Sequence, residues 1–163
     1  MNDSVSNHPP LIEVRNLKVH FPIHKGLFRN LTGYVKAVDG INFSINKGKT
    51  LGLVGESGCG KTTTARAILH LVKPSSGDIL FDFYDESLEQ SSVINLPKIS
   101  EDVMKKVRKQ AQIIFQDPYS SLDPRMKIKD IITEPLSIHY TLKKPEIETK
   151  LKLLLSHVGL NPD

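Results

Sequence analysis

Gly55-Glu56-Ser57-Gly58-Cys59-Gly60-Lys61-Thr62 fits G-x-x-x-x-G-K-[ST], the phosphate-binding P-loop, and its reading decides the fold. Just before it, the apolar run Thr50-Leu51-Gly52-Leu53-Val54 predicts a short buried strand. Just after it, residues 63–72 repeat apolar side chains at helical spacing, and Pro74 helps to stop that helix. A Gly-rich turn formed by chance would lack these two flanks. The motif sits between a strand and a helix N-terminus, where anion binding requires it.

Each part has a chemical reason. A triphosphate is a dense anion. Gly55, Gly58 and Gly60 admit backbone conformations that a Cβ would oppose. The amides of Glu56, Ser57, Cys59 and their neighbours can then turn inward as a nest, with the positive end of the helix dipole aimed at the same point. Lys61 is expected to reach the β- and γ-phosphates as a point charge. The Thr62 hydroxyl is expected to be a magnesium ligand, and Thr63 closes the phosphate-binding run. Cys59 reads as a small filler whose backbone, not its thiol, does the binding.

The chain has 163 residues, enough for one domain with a core. Its 39% hydrophobic and 25% charged residues are ordinary for a globular protein. The net charge of +4 is spread along the chain with acids interleaved, so the sequence makes no case for nucleic acid. No apolar run approaches the ~20 residues that span a bilayer, and residues 1–10 are polar, without the apolar segment of a signal peptide. A single cysteine allows no internal disulfide and fits a reducing compartment.

Residues 1–10 read as a flexible tail and 11–163 as one folded region. Residues 11–21 alternate loosely and predict an extended segment, 22–33 a loop, and 34–45 a second extended segment with Ile41, Phe43 and Ile45 alternating against polar residues. Together they predict an antiparallel sheet beside the nucleotide core. Residues 78–84 read as a strand and 85–98 as a polar surface insertion. Ser100 is a good N-cap for a helix to about Lys109. Residues 111–115 read as an apolar strand ending at Gln116, followed by a turn-rich loop through Pro124. Residues 128–138 suggest a helix interrupted near Pro135. Residues 146–158 are amphipathic, with Gly159 as the C-terminal stop.

These strings taken together resemble the ATP-binding cassette family, and most closely its oligopeptide/dipeptide importer subfamily. The resemblance rests on Lys36-Ala37-Val38-Asp39-Gly40, the P-loop, Ala65-Arg66-Ala67-Ile68-Leu69, Phe115-Gln116-Asp117-Pro118, Leu122-Asp123-Pro124-Arg125 and Glu134-Pro135-Leu136. It implies an α/β fold: a P-loop NTPase (RecA-like) core with an N-terminal antiparallel β subdomain. It also implies ATP and Mg2+ as ligands, with Gln116 as the glutamine that contacts the magnesium ion and the attacking water and senses the membrane partner. It further implies an aromatic side chain stacked on adenine, for which Phe21 is the first choice and Tyr34 the rival. The region 115–124 corresponds to the Q-loop and about 125–163 to the start of the helical subdomain.

The family's signature sequence, its Walker B acids and its switch histidine find no match. The chain therefore looks like the N-terminal portion of a cassette, truncated before the signature and Walker B, and is expected to be inactive alone. The implied parent is an importer ATPase at the cytoplasmic face of the membrane. Its implied partners are transmembrane permease subunits, a second ATP-binding subunit and, indirectly, a substrate-binding protein. A non-transport cassette ATPase, a kinase-like phosphotransferase and a non-catalytic nucleotide-binding remnant are the alternatives. The strings are shared by peptide, nickel and glutathione importers.

Overall fold

The computed structural model describes residues 9–26, 30–117 and 121–161. It divides into two units, Met1–Gln112 and Ile113–Asp163.

The first unit is built on a four-stranded antiparallel sheet with strands β1 (Ile12–Lys25), β2 (Asn30–Ile45), β3 (Ser76–Asp85) and β4 (Gln90–Asn95), in the order β2-β1-β3-β4. Period-two alternation decides which face is inside. Along β3, Ile79, Phe81 and Phe83 are buried, while Leu80, Asp82 and Tyr84 between them are not. Leu17 and Val19 of β1 and Val38 of β2 join them. Helix α1 (Lys61–Ile68) adds Ala67 to this core, and helix α2 (Glu101–Gln110) adds Met104 and Val107. Ser100 caps α2 as expected, its Oγ accepting from the Val103 amide at 3.5 Å. Gln110 at the far end donates to the Tyr84 carbonyl at 2.5 Å and so ties the helix to β3.

The structure corrects several expectations. The predicted loop 22–33 is largely strand: β1 runs to Lys25 and β2 begins at Asn30, with Phe21 opposite Val35 and Ile23 opposite Gly33. Pro22 is tolerated because the β1–β3 ladder ends at Lys18, leaving one flank of β1 without a partner strand there. The predicted insertion 85–98 contains β4 and a 3-10 turn, Leu96–Lys98, whose Leu96 is buried. Ser91, Ser92 and Val93 are exposed, and this polar edge hid the strand.

The run 50–54, predicted as a buried strand, and the run 111–115, predicted as an apolar strand, join no ladder among the described residues. Val54 is 90% exposed and Ile114 96% exposed. A strand of a parallel sheet is defined by neighbours on its flanks, and among the described residues none lies beside either run. Helix α1 stops at Ile68 rather than at 72. His70 turns left-handed (φ 54), and the amides of Leu71 and His70 close back onto the Arg66 and Ala67 carbonyls.

The second unit holds helices α3 (Ile128–His139) and α4 (Lys144–His157). Helix α3 continues through Pro135 instead of breaking there, forgoing the one backbone hydrogen bond that proline cannot donate. On α4, Leu151 is buried and Ile147 and Leu155 are half-buried, the expected i, i+4 stripe, but Leu154 and Val158 are exposed. Gly159 (φ 75) ends the helix, with the Leu160 amide on the Leu155 carbonyl. Residues 1–8 of the predicted tail and Pro118, Tyr119 and Ser120 of the predicted turn lie outside the described residues. No described helix is long and apolar enough to cross a membrane.

Candidate functional site

The phosphate loop and α1 form one local structure. Gly60 (φ 96) stands at the N-cap, and the first helical hydrogen bond runs from the Thr64 amide to its carbonyl at 2.8 Å. The amides of the first turn precede that bond and have no carbonyl acceptor within the helix. They belong to residues lining a shallow cleft of about 130 Å³ formed by Ala37, Gly58, Gly60, Lys61, Thr62 and Thr63. Among the described residues no carboxylate side chain lines this cleft. Unpaired amides, a helix N-terminus and an ammonium group meet there, an environment complementary to phosphate oxygens.

The Lys61 ammonium donates to the carbonyls of Gly55 at 2.7 Å and Glu56 at 2.6 Å, and to the Cys59 sulfur at 3.6 Å. It therefore bridges the two ends of its own loop. The Cys59 amide donates to the Glu56 carbonyl at 3.3 Å, which tightens the turn further. Glu56, Ser57, Cys59 and Thr62 are exposed.

The loop is seated against the sheet. A Cβ on Gly60 would stand 2.2 Å from the Ala37 carbonyl oxygen of β2. Glycine is required here both by this approach and by its left-handed φ. Ala37 is thus part of the cleft wall, which the local sequence did not reveal because it lies far upstream of the loop. Nearby, the Asp39 carboxylate lies 3.2 Å from the Lys36 ammonium and 2.9 Å from Nε2 of His20. The hydrogen bond to Lys36, and secondly that to His20, holds the Asp39 carboxyl below the usual carboxylate range.

The two candidate adenine partners fall on opposite faces of the β1–β2 ribbon. Alternation puts Phe21 on the face of Leu17 and Val19, the face that packs against Ala67 of α1. Tyr34 pairs with Pro22 and lies on the other face. Phe21 is 42% exposed and Tyr34 56%, so both rings are reachable from solvent. Gln116 belongs to the second unit, in an exposed stretch after the unpaired run 111–115. Among the described residues no group of three or more His, Cys, Asp or Glu side chains is gathered to hold a metal.

The profile of the ABC transporter family matches residues 38–163. The chain belongs to this family. As a family member it is 45% identical over 159 residues to the oligopeptide transport ATP-binding protein AppF of Bacillus subtilis (strain 168), covering 98% of this chain and 46% of that protein. It is 43% identical over 162 residues to the glutathione import ATP-binding protein GsiA of Pectobacterium atrosepticum, covering 99% of this chain and 24% of that protein. Among solved structures it resembles the dimeric, post-hydrolysis state of the ATP-binding cassette MJ0796 bound to ADP and Pi. The TM-score is 0.61 at 21% identity, over 90% of this chain and 57% of that one. This ABC chain therefore spans less than half the length of the curated relatives it matches, and the fold is that of an ABC cassette.

Proposed function

We propose that this chain is the N-terminal portion of the ATP-binding subunit of an importer, and that its phosphate loop binds ATP. The observation that carries this reading is the cleft at the start of α1, where Lys61, the first-turn amides and the Ala37 wall converge with no carboxylate side chain among the described residues. On binding, the Lys61 ammonium exchanges its contacts with the Gly55 and Glu56 carbonyls for β- and γ-phosphate oxygens, which converts a loop-closing cation into a ligand-holding one. The backbone of residues 55–63 wraps the phosphates. Phe21 stacks on adenine, supported by its place on the α1 face of the ribbon.

The Thr62 hydroxyl stands at the cleft and the Gln116 amide is exposed. Both are neutral oxygen donors of the hard kind that suits Mg2+. A bound Mg2+ neutralises phosphate charge and orients the terminal phosphoryl group. Gln116 orients the attacking water and reports nucleotide state to a membrane partner. In the whole protein, two ATP-binding subunits work with transmembrane permease subunits at the cytoplasmic face, and indirectly with a substrate-binding protein. The names of the relatives favour peptides, with glutathione second, as the imported class.

Titration with a fluorescent ATP analogue tests the reading. The wild-type chain is expected to bind the analogue, and Lys61→Ala to weaken binding by about tenfold or more, as for the loss of a charge-assisted contact. Equal affinity of the two proteins would refute the role of the loop.

A further inference from the structure

Ala37 is the point where the sheet meets the phosphate loop, and it is an irregular point. The β1–β2 register runs from Val19 opposite Val38 directly to His20 opposite Lys36, so Ala37 is an extra residue without a partner on β1. It forms a bulge. In a regular strand, positions 36 and 39 would project on opposite faces. The extra residue brings them to one face, and there the Asp39 carboxylate holds both Lys36 and His20. One carboxylate thus grips the strand on both sides of the bulge and the neighbouring strand as well.

The clamp is anchored at its other end. The His20 amide donates to Ser75 Oγ at 2.9 Å, and that hydroxyl donates to the His20 carbonyl at 3.3 Å. Ser75 lies in the turn that leaves the α1 segment. The path from Ser75 through His20 and Asp39 to the Ala37 bulge therefore joins the exit of the α1 segment to the seat of its entry at Gly60.

We propose that Asp39 is a positioning residue for the phosphate loop: by clamping Lys36 and His20 it fixes the Ala37 bulge on which Gly60 rests. Asp39 does not touch the nucleotide. It acts through the Ala37 carbonyl, whose place decides where the amides of residues 58–63 point. This rests on the reading of the loop as an ATP site and adds a residue that controls its shape.

The test uses the 163-residue chain, titrated with a fluorescent ATP analogue and with inorganic tripolyphosphate as competitor, together with hydrogen–deuterium exchange. Asp39→Ala is expected to raise both dissociation constants by a similar factor of about three, the scale of losing exposed ion pairs. Exchange is expected to speed up in residues 55–64 and to stay unchanged in β3. Asp39→Asn, which keeps one acceptor oxygen, is expected to recover part of the loss.

Lys36→Ala provides a second route should Asp39→Ala fold poorly. It is expected to weaken binding less, and the Lys36→Ala/Asp39→Ala double variant is expected to be no worse than Asp39→Ala alone, because the two act as one unit. Unchanged affinity in both single variants, or additive losses in the double, would overturn the proposal. Faster exchange spread equally into β3 would overturn it too, since that marks general destabilisation. The Lys61→Ala variant separates the two readings. If it binds like wild type, the ATP site itself is wrong. If it loses binding while Asp39→Ala does not, only the role of Asp39 falls.

Discussion

Replacing Gly60 by alanine is the sharpest test of how the loop is seated. The new Cβ would lie 2.2 Å from the Ala37 carbonyl oxygen and 3.4 Å from its carbon. A carbon against a carbonyl oxygen settles at about 3.3 Å or more, so loop and strand must part by roughly 1 Å. The left-handed φ of 96 adds a cost of order 1–2 kcal/mol for any residue with a Cβ. The strand side is held in the sheet and by the Asp39 clamp, so most of the shift falls on the loop. Moving loop amides by about 1 Å takes them out of hydrogen-bond reach of a bound phosphate, and each such bond to a charged group is worth about 1.5–3 kcal/mol. We expect Gly60→Ala to weaken ATP binding by about tenfold to a hundredfold and to lower the thermal midpoint of the sheet unit by several degrees. Gly58→Ala is the internal control. Its φ is also positive (83), but a Cβ there meets nothing within 4 Å, so only the conformational cost applies. Binding titrations of the three proteins side by side decide the matter. If Gly60→Ala binds like wild type, or no worse than Gly58→Ala, the contact with Ala37 does not set the loop.

Three further outcomes follow from the structure. Phe21→Ala is expected to weaken ATP binding by ~1 kcal/mol, the scale of an aromatic stacking pair, and Tyr34→Ala to do little; the reverse order in the same titration would move the stacking role to Tyr34. In the complete transporter, Gln116→Ala is expected to leave ATP affinity nearly intact and lower transport-coupled hydrolysis, and a large loss of affinity with coupling preserved would contradict its role. Stability is expected to fall as pH drops below about 6.5. The reason is His70, whose Nδ1 is buried with no hydrogen-bond partner among the described residues, and whose pKa is lowered first by burial and then by Arg108. The folded protein thus resists a proton that the unfolded chain accepts at its ordinary value, so stability is full above that value and lost below it. His70→Asn, which tolerates the left-handed turn, is expected to flatten thermal midpoints between pH 7 and 5.5; identical profiles for the two proteins would refute this.

The phosphate loop was legible because its chemistry is contiguous: glycines, lysine and threonine stand side by side and need no distant residue to be recognised. The frame of β1 to β3 and the cap at Ser100 were legible for a similar reason, since alternation and capping are local. What sequence reading missed depends on pairing. β4 is short and opens with Gln90, Ser91 and Ser92, so it carries no apolar alternation to read. The runs 50–54 and 111–115 have strand composition, but strand identity lies in the ladder, and none forms on them here. The early end of α1 hinges on His70 taking a conformation normally left to glycine. The contact of Gly60 with Ala37 joins positions 23 residues apart, a distance no local pattern encodes.

The sheet order β2-β1-β3-β4 has a consequence for synthesis. All four strands lie within residues 12–95, so every ladder can close once that stretch has left the ribosome, before α3 and α4 exist. The connection from β2 to β3 carries the whole phosphate loop and α1. Zipping β3 onto β1 therefore ties down both ends of that connection at once. In a growing chain, closing that ladder fixes the two stems of the segment that carries the proposed phosphate loop, and α2 then completes the core beneath it.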